Sequence, residues 1–283
     1  MRLLIVFASI MATFYGCVVD QQATTVSVPH SWKRLPAPPT PNSTDWPCPV
    51  LAPKFWTVAV VDNQLTATAS SRQRRRDPLP YEVDFSRAIG PGDPPSQSSW
   101  TLSYAREQAA RQVVRVEDGW LVGFDAGENL GSLWWYPTEP GPGVRLWNLN
   151  VLAIVAGPEP HVWLVLSGLD HDVTNRGVAL WIARDADHRW AVETQQSLLG
   201  EPSAFAQTST DVIVATAIGL QAIRPTRRVD TLLRTAPMSR AHSVAVAPSG
   251  DIAVGRTLFV TVYRRNGAGY TEESYVPGDC TEF

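Results

Sequence analysis

Ser243-Val244-Ala245-Val246-Ala247-Pro248-Ser249-Gly250-Asp251-Ile252-Ala253-Val254-Gly255 holds two short apolar runs joined by a Pro-x-Gly step. Pro presets one φ and Gly supplies the other, so the segment predicts a strand, a tight turn and a second strand. Weaker versions of its second half recur. Asp118-Gly119-Trp120-Leu121-Val122, His161-Val162-Trp163-Leu164-Val165 and Asp211-Val212-Ile213-Val214 precede it, with ends roughly 43, 49 and 40 residues apart. No segment beyond residue 55 places apolar residues at helical spacing, so the body is predicted to be all-β.

The flanking sequence fits a four-strand unit around each anchor. Apolar runs at 112–116, 151–155, 203–206 and 243–247 come before the anchors, and runs at 131–136, 177–182, 219–223 and 257–263 come after them. Candidates for a fourth strand are 144–147, 190–194, 229–233 and 270–275. An earlier unit starts at 55–61 and 65–69, then carries an Arg- and Pro-rich insertion before 100–104. The strand-turn-strand of residues 243–255 is similar to that of many propeller repeats, and the whole resembles a β-propeller of about five four-stranded blades. A β-sandwich or barrel is the alternative that short, regularly spaced strands also allow.

Composition narrows the function classes. The 283 residues are 44% hydrophobic and 18% charged, enough apolar material for a sizeable core. Lys and Arg number 24 against 27 Asp and Glu, which leaves no positive excess for a nucleic-acid partner. Arg72, Arg74, Arg75 and Arg76 form the one dense basic run, without the interleaved aromatics of a single-strand binder. It reads as a solvated loop tip, or as a contact for anionic headgroups. Of 11 tryptophans, those at 120, 134, 135, 163, 181 and 190 fall on predicted strands, where they are expected to pack between blades.

Met1-Arg2 and the apolar run 3–14 have the charged start and short hydrophobic core of a secretory signal. The following Tyr15-Gly16-Cys17 resembles the lipobox of bacterial lipoproteins, although Phe14 stands where that family usually has Leu. The resemblance implies lipidation of Cys17, and Val18 in the next position implies the outer membrane; ordinary secretion or a periplasmic location is the alternative. Residues 1–16 are then a signal peptide. Residues 17–53, rich in proline, are expected to be a lipid-anchored extended stalk, and 54–283 the propeller-like domain. Setting Cys17 aside leaves Cys48 and Cys280 at the two borders of the body. In a ring the first and last blades are neighbours, so these two are expected to pair as a clasp in an oxidising compartment.

In a four-stranded blade the loops joining strands two and three open on the same face as the connections between blades. That face is expected to gather Asp125, Glu128, Asp170, His171, Asp172, Asn175, Arg240 and His242. Carboxylates beside imidazole suit Ca²⁺, a transition metal or general-base chemistry, while polar loops of this kind also satisfy their own turns. No G-x-S-x-G, H-E-x-x-H, P-loop or paired CxxC motif is present. The expectation is an envelope binding module for a protein or an envelope polymer, needing no cofactor. The competing class is an extracytoplasmic metal-dependent hydrolase or lyase built on Asp170, His171, Asp172 and His242.

Overall fold

The computed structural model describes residues 25–37, 55–70, 76–81, 109–126, 131–169, 176–216, 218–235 and 240–278. Its described secondary structure is strand throughout, arranged as successive antiparallel sheets. The first unit is β2 (Phe55–Val61) with β3 (Gln64–Ser70), joined through Asp62 and Asn63, both left-handed. Its predicted third strand at 100–104 lies outside the described residues. The second blade is β4 (Ala110–Val116), β5 (Gly119–Asp125), β6 (Ser132–Pro137) and β7 (Val144–Trp147). The third is β8 (Asn150–Ala156), β9 (Trp163–Leu169), β10 (Arg176–Arg184) and β11 (Trp190–Leu198). The fourth is β12 (Pro202–Gln207), β13 (Val212–Thr216), β14 (Gly219–Ile223) and β15 (Val229–Arg234). The fifth is β16 (Ala241–Val246), β17 (Ile252–Arg256), β18 (Val260–Asn266) and β19 (Gly269–Val276).

From the second blade to the fifth the sheets stack in chain order, and the fifth packs onto the first unit. First strands touch first strands (β8 on β12, β12 on β16, β16 on β2), and last strands touch last strands (β7 on β11, β11 on β15, β15 on β19). This is radial stacking, the architecture of a propeller; among the described residues no sheet closes on itself as a barrel and no pair of sheets forms a sandwich. The stacking explains why the anchor runs are apolar at every position. On β9, Leu164 and Leu166 face the fourth blade while Val165 faces the second. On β13, Val212 and Val214 face the third blade, and Ile213 and Ala215 the fifth. A strand buried on both faces loses the polar–apolar alternation of a half-exposed one. Trp134 and Trp181 are almost wholly buried in these layers and Trp190 nearly so, while Trp120, Trp135 and Trp163 are half-buried.

Polar side chains stitch the seams between blades. Gln112 on β4 donates from Nε2 to the Ile154 carbonyl at 2.9 Å and accepts from the Ile154 N–H at 2.8 Å. Between the fifth blade and the first, the Ser243 hydroxyl donates to the Trp56 carbonyl and accepts from the Val58 N–H, both at 2.9 Å.

The expected stalk needs one correction. Residues 25–37 lie within it by sequence, yet they are part of the body. The Val26 side chain is 2% exposed in the layer between the fifth blade and the first. Its N–H donates to Asp251 Oδ2 at 3.1 Å, and Arg264 donates to its carbonyl. Ser27 exchanges backbone hydrogen bonds with Asn63 and Leu65. The segment then adds β1 (Lys33–Leu35) to the outer edge of the fifth blade, antiparallel to β19 with Lys33 opposite Val276. It is a strap across the seam between the last blade and the first. Prolines at 29 and 36 bracket the added strand and are compatible with an edge position, where one side of the ladder carries no partner.

Candidate functional site

The turns between strands one and two of each described unit, and between strands three and four of the second to fifth blades, emerge on one end of the propeller. Between the fourth and fifth blades this face opens into a cleft of about 730 Å³, and between the third and fourth into one of about 300 Å³. The larger forms where its seam runs out of bulk. The larger cleft is walled by Ala206, Ala222, Ala247, Gly250, Gly267 and Gly269, small residues that cannot extend the core to the rim. The turn at Gly250 is closed by hydrogen bonds from Gly250 N–H to Ala247 O and from Ala247 N–H to Asp251 O, both at 2.8 Å. It needs the left-handed φ of 85° that glycine takes without strain.

The two clefts share a wall, the turn Gln207-Thr208-Ser209-Thr210-Asp211. Thr208 organises it. Its Oγ1 accepts from the N–H groups of Asp211 at 2.8 Å and Thr210 at 3.3 Å, and its own N–H donates to Asp211 O at 2.8 Å. Short hydroxyl side chains in this role replace a strand ladder with a local turn, and the result is a fixed ridge. Asp211 Oδ2 accepts from Thr210 Oγ1 at 3.1 Å and from Arg224 Nη1 at 2.7 Å, and Arg224 Nε reaches Asp230 Oδ2 at 2.8 Å. The Asp230 hydrogen bond raises the Arg224 pKa against the opposing effect of burial, while Arg224 and Arg228 hold Asp230 below the ordinary carboxylate range. Arg227, left-handed at φ 65°, reaches Glu159 at 3.0 Å and Glu193 at 2.9 Å and so ties the fourth blade to the third.

Arg265 lies over Gly250 on the far wall, where a Cβ would sit 2.9 Å from its Cδ. Burial raises the pKa of the neighbouring Tyr270 hydroxyl, and Arg265 and Arg224 oppose that rise. The groove thus presents hydroxyls and guanidinium groups beside a fixed ridge, with small residues along the larger cleft and bulkier ones such as Pro158 and Trp181 along the smaller. Among the described residues neither cleft is lined by histidine or cysteine. It is equipped to hold a ligand by hydrogen bonds and shape.

Of the residues expected from sequence, the described ones, Asp125, Arg240 and His242, stand on the opposite face. Asp125 ends β5 there, half-buried. His242 is engaged at the seam between the fifth blade and the first: Nε2 is 2.9 Å from Thr257 Oγ1, and the ring meets Phe55 edge-on at 4.6 Å. Arg240 pairs with Glu201 at 3.2 Å, joining two connections between blades. Glu128, Asp170, His171, Asp172 and Asn175 lie outside the described residues, as do Cys17, Cys48, Cys280 and Arg72, Arg74 and Arg75. Among the described residues no group of three or more His, Cys, Asp or Glu side chains is placed to hold a metal. The groove itself was not anticipated. Its one sequence signal is the hydroxyl run Thr208-Ser209-Thr210 directly before the anchor Asp211.

No family profile matches the sequence, and no curated protein aligns with it at a significant level. Similar folds occur among solved structures. The N-terminal domain of Nup159 superimposes with a TM-score of 0.37 at 13% identity, over 58% of this chain and 47% of that one. The extracellular domain of the one-component system BT4673 from B. thetaiotaomicron gives 0.34 at 10% identity, over 58% and 21%. A protein of unknown function from Desulfotomaculum acetoxidans gives 0.30 at 12%, over 58% and 69%. The chain therefore spans about half of the Nup159 domain and about a fifth of the BT4673 domain.

Proposed function

We propose that this chain is an exported binding module of the bacterial envelope, anchored through acyl chains on Cys17 at the outer membrane, that seats a segment of a partner protein in the groove of the turn face. The ridge at Thr208–Asp211, prearranged between two clefts, carries this reading. A site whose donors and acceptors are already fixed spends little ordering free energy on association. A protein segment is favoured over an envelope polysaccharide by the walls. Sugar platforms use exposed aromatic faces, whereas Tyr270, the one aromatic side chain of the larger cleft, is half-buried. Cys48 and Cys280 belong to the same proposal as a disulfide clasp formed after export.

The test is site-specific photocrosslinking in intact cells. A crosslinker at Ser209 is expected to capture a defined protein, a crosslinker at Asp125 on the opposite face is not, and Thr208→Val is expected to weaken capture at Ser209 at least tenfold without unfolding the chain. Equal capture from both faces, or capture of polysaccharide alone, removes the proposal.

A further inference from the structure

A third cavity, of about 360 Å³, lies away from the groove, on the outer edge of the fifth blade where β1 parts from β19. The ladder between these strands ends at Leu35 opposite Ser274, and Pro36 and Ala37 line the opening beyond it. Glu272 and Ser274 are two residues apart on β19, so their side chains share one face of the sheet. Both line the cavity. Ser274 is 3% exposed and its Oγ has no hydrogen-bond partner; Glu272 is half-buried, and its Oε1, shielded from solvent, is likewise unpartnered. Across the register from them stand Thr261 and Tyr263, whose hydroxyls each receive a hydrogen bond at 3.2 Å from the buried Arg256. Buried polar atoms are almost always paired in folded proteins, so two unpaired acceptors on one face of one cavity need a partner.

We propose that this cavity is a binding site for a primary ammonium group, with Glu272 as counter-ion and Ser274 Oγ as a second acceptor. The chemistry selects the class. An ammonium offers three N–H donors and a positive charge, which satisfies a carboxylate and a hydroxyl together. A calcium ion takes 6–8 oxygens, and two side-chain oxygens do not approach that number. An anion would meet Glu272 and would find Arg34 already held by Glu273 at 2.9 Å. An apolar group would leave both buried acceptors unpaired. The cavity is about twelve times a water's share of liquid volume, so it admits a chain behind the ammonium. Burial pushes the Glu272 carboxyl above its ordinary range and Arg256 offsets this in part, so binding is expected to weaken on acidification.

The ammonium can come from a lysine side chain or from a small free amine, and the titration separates the two. Calorimetry on the full chain at neutral pH uses butylammonium, N-butylacetamide as the neutral isostere, and a lysine-centred peptide with its acetyl-lysine counterpart. Saturable binding of butylammonium but not of the isostere is expected, at least tenfold weaker in Glu272→Gln and about threefold weaker in Ser274→Ala. A peptide that binds more tightly than butylammonium assigns the site to a lysine side chain, and the reverse order assigns it to a free amine. No saturable binding of either amine overturns the proposal. So does equal affinity for the isostere, a result that needs no variant to fold.

Discussion

Arg264 donates from Nη1 to Asp251 Oδ2 at 3.1 Å, and one blade earlier the equivalent positions are filled by Arg224 and Asp211, paired at 2.7 Å. In both blades the aspartate precedes the second strand and the arginine follows the residue opposite that strand's first position: Val212 faces Ile223, and Ile252 faces Tyr263. The pair closes the turn end of a blade. The copies differ in burial. Asp251 is 1% exposed and also accepts from the N–H groups of Val26 and Arg265, whereas Asp211 sits at the rim of the groove.

Asp251→Ala is therefore expected to cost about 3–5 kcal/mol, because it leaves a part-buried guanidinium and the Val26 N–H without their acceptor. Asp211→Ala, nearer to solvent, is expected to cost about 1 kcal/mol. Urea denaturation of the two variants measures the difference. Equal costs would mean that the strap contributes nothing through Asp251.

Asp251 and Glu273 set an acid limit. Burial alone would raise the pKa of Asp251, but the N–H groups of Arg265 and Val26 and the Arg264 guanidinium outweigh it and hold the group low. Glu273 is held low against its own burial by Arg264, Tyr275 and Arg34. A depressed folded pKa means stability that is complete above the unfolded carboxylate range and is lost as pH falls through the folded value. Glu272 is raised, so its contribution has the opposite sign: complete below the unfolded value and lost as pH rises through the folded one. The wild-type melting temperature is expected to fall from about pH 5 to about pH 3, less steeply in Asp251→Asn. Glu272→Gln is expected to melt higher than wild type at pH 7 and level with it near pH 4. Thermal melts across that range check both signs.

At the seam between the last blade and the first, Gly255 leaves no room for a side chain. A Cβ there would lie 2.0 Å from the Trp56 carbonyl oxygen and 2.4 Å from Ser243 Oγ. Gly255→Ala must push β2 off β17 and is expected to cost about 3 kcal/mol or more. Ser243→Ala keeps the spacing and removes the hydroxyl that serves Trp56 and Val58, with an expected cost of about 1–3 kcal/mol. Denaturant midpoints rank the two, and the reverse order would place the seam's strength in the hydroxyl and not in the close backbone approach.

The proposed clasp between Cys48 and Cys280 has a direct assay. Non-reducing peptide mapping of chain purified from the envelope is expected to recover one linked peptide, and reduction is expected to lower stability by up to about 5 kcal/mol, the loop-entropy limit for so long a closure. Two free thiols would end that assignment.

The blades were legible in the sequence because each anchor run is buried on both faces, which writes a continuous apolar signal at a near-constant spacing. Glycines at 119, 219 and 255 also mark places where a neighbouring backbone comes too close for a side chain. The strap was not legible. Val26 and Leu35 are isolated apolar residues among prolines, and a three-residue strand that pairs with Ser274, Tyr275 and Val276 leaves no local period to detect. The groove was hidden for a different reason. Thr208, Gly250 and Gly267 are what any tight turn would use, and only the stacking of two blades decides that small residues from separate turns leave a space between them.

The strap sets a leash. If Cys17 carries acyl chains, as proposed above, residues 18–24 are all that separate that anchor from Thr25, and a fully extended chain of that length reaches about 25 Å. Thr25 meets the body beside Asn63 and Val26 beside Asp251, both on the turn face. A tether that short, attached there, would turn the groove toward the bilayer, so that whatever it holds is met within a few nanometres of the lipid surface and not out in the open compartment.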